Sequence, residues 1–260
     1  MSILKKIADS KTLRVAYAKG RVSQAELLGR IRDMDPARDF HKAVRRTDGP
    51  VRLIAEVKKA SPSRGIIRQD FDPASIAAVY ESKPVSAISV LTEEDFFQGQ
   101  LAYLKIVKDI VSKPVLRKDF ILDAYQIYEA RAFGADAILL IAALLEDSRL
   151  REYLHMAAEC GLHALLEVHD ERELELAMKA NAGIIGINNR NLKTMETDLG
   201  ITLRLKKEIP DSVTVIGESG INNRADVRLL EDAGIDAVLI GTALMESQDI
   251  GAAIDRLLAT

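Results

Sequence analysis

Five charged side chains sit in or at the ends of apolar segments, where charge is expensive. Glu56 and Lys58 lie in the run Ile54-Ala55-Glu56-Val57-Lys58. Lys118 follows Val115-Leu116-Arg117, Glu167 follows Leu165-Leu166, and Glu218 follows Ile216-Gly217. An ionised group inside an apolar strand costs free energy unless it is paired or used. A lysine among carboxylates keeps its proton, and a lysine beside another lysine loses it more easily. Brought to one place, these groups could supply a general acid and a general base. The plainer alternative is a ring of buried ion pairs closing one end of the fold. That accounts for any one member alone, and poorly for all five at the same end.

A second set of residues suits an anion. Ser219-Gly220 and Gly241-Thr242 each pair a hydroxyl with a glycine, where backbone N–H groups can approach a phosphate. Either pair alone is also ordinary turn chemistry. The remaining chemistry-bearing residues are weaker. His41, His155, His163 and His169 show no metal-ligand spacing. His155 reads as a helix-face residue, His169 as the start of a loop, and Cys160 as a buried helix residue. Lys105 and Lys108 read as solvated helix charges, and Asn222-Asn223 as a turn with a helix cap. No P-loop, nucleophile elbow or HExxH is present. The expectation is a site without metal or cofactor.

The elements that must position these groups follow from hydrophobic pattern. Eight short Val- and Ile-rich segments, Val51–Val57, Val85–Leu91, Pro114–Leu116, Asp136–Ile141, Leu162–Val168, Gly183–Ile187, Val213–Ile216 and Asp236–Ile240, recur roughly every 20–35 residues. Continuous rather than alternating apolar runs suit strands buried on both faces of a parallel sheet. The stretches between them read as helices, among them Ala74–Tyr80, Ala124–Phe133, Leu150–Cys160, Glu171–Ala180 and Arg224–Ala233. Asp72-Pro73 is a start signal, and Gly134, Gly161 and Gly234 are stops. Gly134-Ala135-Asp136-Ala137 and Gly234-Ile235-Asp236-Ala237 mark one helix-to-strand joint twice. Eight uninterrupted βα units predict an α/β fold, a (β/α)8 TIM barrel. A doubly wound sheet would need a glycine-rich phosphate turn after its first strand, and Lys58-Lys59-Ala60-Ser61-Pro62-Ser63-Arg64-Gly65 has one glycine. In a barrel the strand C-termini share one mouth, so the five charges and both Ser/Thr–Gly pairs converge there. Residues 1–50 precede the pattern and read as two or so amphipathic helices, an N-terminal extension to a single barrel domain spanning 1–260.

Composition narrows the class. The 260 residues are 48% hydrophobic and 29% charged, with 36 basic against 39 acidic residues for a net charge of −3. That excludes a disordered chain and gives no basic footprint for nucleic acid. No apolar run reaches the roughly 18 residues of a membrane span, and the start lacks a signal-peptide stretch. One cysteine cannot make an internal disulfide. The expectation is a cytoplasmic protein with a small-molecule partner, neither nucleic acid nor membrane, and a monomer or weak homo-oligomer.

The series IAEVKKASPSRG (Ile54–Gly65), SVLTEEDFFQG (Ser89–Gly99), VLRKDFI (Val115–Ile121), LLEVHD (Leu165–Asp170), IGINNRNL (Ile185–Leu192), IGESGI (Ile216–Ile221) and AVLIGTALM (Ala237–Met245) resembles the indole-3-glycerol phosphate synthase family. So do the ILKKI start and RDFHKAV (Arg38–Val44), so the resemblance spans nearly the whole chain. It implies conversion of 1-(2-carboxyphenylamino)-1-deoxyribulose 5-phosphate to indole-3-glycerol phosphate in tryptophan biosynthesis. A ring closes onto a ketone carbon, then carbon dioxide and water leave.

The resemblance also implies roles. Lys118 matches the general acid at the carbonyl oxygen, and Glu167 the acid–base carboxylate of dehydration. Glu56 and Asn188 match polar residues around the reacting centre, Lys58 a cation for the substrate's anionic groups, and Glu218 a partner for sugar hydroxyls. Arg190, with a planar fork suited to a carboxylate, would hold the anthranilate carboxyl with Ser61. Ser219, Gly220, Gly241 and Thr242 would hold phosphate. Phe97, Phe120, Leu139 and Leu192 would form a slot for the aromatic ring. Thr242 stands where serine is common. Two other readings stay open: another phosphate-binding barrel enzyme such as phosphoribosylanthranilate isomerase, which needs a cysteine at the end of the first strand, and a catalytically silent sugar-phosphate-binding barrel.

Overall fold

The eight apolar segments are eight parallel strands. In the computed structural model, which describes residues 2–191 and 194–259, they are β1 (Arg52–Val57), β2 (Ala87–Leu91), β3 (Val115–Lys118), β4 (Ala137–Ile141), β5 (His163–Val168), β6 (Ile184–Asn188), β7 (Thr214–Glu218) and β8 (Ala237–Ile240). Each strand pairs with the next. β8 returns to β1 in register from Arg52↔Ala237 to Ala55↔Ile240, so the sheet closes and an open sheet is excluded. Helices α4 (Pro73–Ser82), α5 (Ala102–Ile110), α6 (Tyr125–Ala132), α7 (Asp147–Glu159), α8 (Glu171–Lys179), α9 (Gly200–Leu205) and α10 (Arg224–Asp232) connect successive strands. α11 (Thr242–Met245) and α12 (Ile250–Leu258) follow β8. This is the expected (β/α)8 barrel. The third and seventh strands run two residues further than their apolar segments, because Lys118 and Glu218 are themselves strand residues.

Strand alternation sorts the side chains into two cores. Leu53, Ala55, Val57, Ile88, Val90, Ile138, Leu140, Leu166, Val168, Ile185, Ile187, Val238 and Ile240 face the surrounding helices. Ile54, Leu116, Leu139, Leu165, Ile184, Ile216 and Leu239 fill the lumen. Two residues on from lumen positions Ile54, Leu116, Leu165, Ile216 and Leu239 stand Glu56, Lys118, Glu167, Glu218 and Gly241. The polar mouth is therefore the next layer of the same inward row.

The extension differs from expectation in number. It forms three helices, α1 (Ile3–Arg21), α2 (Gln24–Arg32) and α3 (Phe40–Val44), and it serves both ends of the barrel. Ile3, Leu4 and Ile7 of α1 line the mouth cavity. Val15 and Leu27 pack with Tyr125 of α6 on the flank. Phe40 and Val44 of α3 are fully buried in the lumen cluster and plug the floor. A five-residue helix has too few turns to show periodicity, so α3 was not separable in sequence.

The repeated joint explains how the plug is held. Asp136 accepts hydrogen bonds from the N–H of Arg38 (2.7 Å) and of Val115 (2.8 Å). Asp236 accepts from the N–H of Arg46 (3.0 Å) and of Val215 (2.8 Å). The two aspartates thus pin the chain on either side of α3 and bridge it to neighbouring strands. Lys108 completes the first clamp, 2.5 Å from the buried Asp136 carboxylate. That corrects its reading as a solvated charge, since a buried carboxylate without a cation would be costly. Cys160 is also corrected: it is the half-buried C-cap of α7, not a buried helix residue. Asn223 caps α10 in a capping box, as its position before the helix suggested.

Candidate active site

The mouth holds a cavity of about 450 Å³ lined by Glu56, Lys58, Ser61, Phe97, Lys118, Phe120, Leu139, Glu167, Asn188, Arg190, Glu218, Ser219, Gly220, Gly241 and Thr242. Every expected site residue within the described chain is therefore brought together. Leu192 lies outside the described residues.

Lys118 is the hub. Its Nζ lies 3.3 Å from Glu167 Oε2 and 3.2 Å from Glu218 Oε2. Burial alone would lower the lysine pKa, but Glu218, Glu167 and Glu56 overcome it and raise the pKa above the usual value. The magnitudes agree. At an effective dielectric of about 20, an ionised carboxylate at this range attracts the ammonium by roughly 5 kcal/mol, and one full and one partial carboxylate charge offset the several kcal/mol of desolvation. Lys118 therefore rests as an ammonium.

The two carboxylates differ. For Glu167 burial would raise the pKa, yet Lys118, His169 and a hydrogen bond from Asn188 hold it below the usual range. Glu218 is pushed up to about 7, by burial first and then by the charges of Glu167 and Glu56 against the opposing pull of Lys118. Its Oε1 is buried without a hydrogen-bond partner. That oxygen sits over Gly186, where a Cβ would come within 2.1 Å of it. One carboxylate ionised and one poised near neutrality is the division that acid–base chemistry uses. Beside them, Lys58 Nζ lies 2.8 Å from Glu56 Oε1, and Ser89 Oγ donates to Glu56 Oε2 at 3.4 Å.

An apolar wall faces these charges. The rings of Phe97 and Phe120 lie 6.1 Å apart between centroids, with Leu91, Leu139, Ile141 and Leu239 also on the cavity. Phe97 owes its place to Glu93, a buried carboxylate accepting the N–H of Asp95 (3.1 Å), Phe96 (2.8 Å) and Phe97 (3.0 Å). Phe120 is set by Asp119, whose Oδ1 accepts its N–H at 2.8 Å. Asp119 in turn is held by Arg117 (3.0 Å) and by Lys11 of α1 (2.9 Å), so the extension is ion-paired to the residue next to Lys118.

The rim carries further cations. Arg190 Nη1 donates to the Met195 carbonyl at 2.8 Å. Burial, and then the charge of Arg64, lowers its pKa. Ser61 Oγ is buried without a partner on the same cavity. On the β7 and β8 side, Ser219 and Gly220 adopt successive left-handed conformations, φ +64 and +77, and Gly241-Thr242, where β8 gives way to α11, line the same cavity. Gly241 departs from the expected reason for glycine. A Cβ there would lie 2.3 Å from Glu56 Oε1 and 2.9 Å from Lys58 Nζ, so the glycine makes room for that ion pair.

Sequence reading missed Arg64, Lys11 and His169. Arg64 was visible as a cation in the loop after the first strand. Lys11 had no signal, since its carboxylates come from remote loops. His169 had one: it stands two residues beyond Glu167, and alternation carries positions i and i+2 to the same side of a strand.

A sequence model of the family described as indole-3-glycerol phosphate synthase matches residues 4–257. The chain is 48% identical over 250 residues to indole-3-glycerol phosphate synthase from Chlorobaculum tepidum, covering 96% of this chain and 98% of that one. It is 49% identical over 259 residues to the enzyme of that name from Dehalococcoides mccartyi strain BAV1, covering 98% and 100%. Among solved structures, a 3-hexulose-6-phosphate synthase superposes with a TM-score of 0.64 at 17% identity, over 80% of this chain and 99% of that one. At that identity the likeness shows the barrel fold alone.

Proposed function

The chain belongs to the indole-3-glycerol phosphate synthase family, and on that premise we propose how the residues at its mouth divide the reaction. It is a carboxy-lyase of tryptophan biosynthesis acting on a phosphorylated small molecule. The observation that carries the division of roles is Lys118, an ammonium held between Glu167 and Glu218 at the floor of a cavity with one charged and one apolar wall.

Phe97, Phe120 and Leu139 receive the aromatic ring, and Arg190 with Ser61 holds its carboxylate. The ring carbon bearing that carboxylate attacks the ketone carbon. As the carbon–carbon bond forms, Lys118 donates its proton to the ketone oxygen, which becomes a hydroxyl. Loss of carbon dioxide returns the electron pair to the ring and restores aromaticity. The hydroxyl then leaves as water: it takes up a proton as its C–O bond breaks, the neighbouring methylene carbon loses one, and the ring double bond forms between the two carbons, Glu167 carrying the proton between these sites while Asn188 and Glu56 orient the departing group. Lys58 offsets the substrate's anionic charge, and Glu218 accepts hydrogen bonds from the sugar hydroxyls. Ser219, Gly220, Gly241 and Thr242 enclose the phosphate with backbone N–H groups and hydroxyls. The reading extends to a single barrel domain over residues 1–260 and to a cytoplasmic monomer or weak homo-oligomer. Among the described residues no helix is long and apolar enough to cross a membrane.

The β7–β8 loops supply a direct test. Gly241→Val should raise KM and abolish competition by inorganic phosphate. Because its side chain collides with Glu56 and Lys58, kcat should fall as well. Thr242→Ser keeps the hydroxyl and should change either constant by less than about threefold, under ~0.7 kcal/mol. Wild-type phosphate inhibition in Gly241→Val would put the anion elsewhere.

A further inference from the structure

We propose that His169 is a positioning residue for Glu167, anchored by Glu173. The proposal rests on the reading of Glu167 as the acid–base carboxylate. It starts from the end of β5, where His169 follows Glu167 by two residues and its side chain is nearly buried. Asp170, next in the chain, caps α8 by accepting the N–H of Glu173 at 2.9 Å. The cap fixes Glu173 in the first turn, and its Oε2 accepts the His169 backbone N–H at 2.9 Å and contacts His169 Nδ1 at 3.0 Å. With a carboxylate at Nδ1, that nitrogen carries a proton. The ring cannot turn without breaking this contact.

The other nitrogen is therefore aimed. His169 Nε2 lies 3.4 Å from Glu167 Oε1, is buried, and has no hydrogen-bond partner. Lys118 sits on the opposite oxygen, Oε2. Glu167 is thus approached by one basic group at each oxygen. When Lys118 is drawn to the substrate's ketone oxygen, Asn188 still hydrogen-bonds the carboxylate and His169 is the basic group that still faces it. The charged groups facing the imidazole are Glu167 from β5, Glu173 from α8 and Glu218 from β7. Burial opposes its protonation, but the bond to Glu173 and these charges outweigh it and raise its pKa. A cationic His169 keeps Glu167 ionised and turned toward the reacting centre.

The experiment is the pH dependence of kcat for His169→Leu, His169→Gln, Glu173→Gln and Glu167→Gln, with thermal unfolding of each. His169→Leu should lower kcat by about tenfold or more with KM within about twofold. Removing a cation makes Glu167 harder to ionise, so the acidic limb should move to higher pH. His169→Gln, which restores a neutral donor, should recover part of kcat while the limb stays shifted. Glu173→Gln should move the limb the same way, and it carries the test should His169→Leu fail to fold. A limb at the wild-type pH in every folded His169 and Glu173 variant, with Glu167→Gln inactive, would overturn the proposal. Full turnover in Glu167→Gln would overturn the reading of Glu167, and the proposal with it.

Discussion

Lys118→Met should lower kcat by about 10²-fold or more while the protein still folds and KM stays within about threefold. Methionine keeps the length and apolar stem of the side chain and removes only the ammonium. Removing one partner of a buried ion pair normally leaves an uncompensated charge and costs stability. Here the loss is cushioned on both sides. Glu218, already near half-protonated at neutral pH, can take up a proton, and Glu167 retains His169 and Asn188. What cannot be replaced is the proton donor at the ketone oxygen. Steady-state kinetics with circular dichroism separates the two effects. Near-normal turnover would remove Lys118 from the acid role and promote Lys58, which stands 2.8 Å from Glu56 across the same cavity.

The second large effect is on stability and lies at the other end of the barrel. Phe40→Ala should destabilise the protein by about 3–5 kcal/mol, the range for removing a fully buried phenylalanine, and lower Tm by roughly 10 °C. Phe40 is completely buried against the lumen, and α3 is pinned at both flanks by Asp136 and Asp236, so little can collapse into the space. The charged mouth lies a full barrel height away, so kcat of the folded fraction should be unchanged. Deletion follows the same logic. Removing residues 1–45 takes away the plug and should prevent stable folding. Removing residues 1–33 keeps α3 but strips Ile3, Leu4 and Ile7 from the cavity wall and Lys11 from Asp119, and should raise KM. A deletion of 1–45 that melts within a few degrees of the full chain would show the plug to be dispensable.

These two ends also mark what could be read from sequence. The mouth was legible because strand alternation is strict: a charge two positions beyond a lumen residue must stand at the rim, as Glu56 does beyond Ile54 and Glu167 beyond Leu165. That Ser219-Gly220, Gly241-Thr242, Phe97 and Phe120 line the same cavity was legible from motif order and from the position of each motif after a strand. Partnerships between distant segments were not. Lys108 looks like any helix lysine until the fold brings Asp136 beneath it, and Lys11 until loops from β2 and β3 supply Glu94 and Asp119. The glycine at 241 suggested close approach of an anion, and only the structure shows Glu56 and Lys58 in the same space.

If the barrel mouth closes the ring and releases carbon dioxide, product and gas must appear together. The most direct measurement mixes purified protein with 1-(2-carboxyphenylamino)-1-deoxyribulose 5-phosphate and follows indole fluorescence and carbon dioxide together. Both should rise in equal amounts with the wild-type chain, and both should fall together in Lys118→Met. Binding of the sugar phosphate with neither signal from the wild-type chain would contradict that chemistry and leave a barrel that only binds.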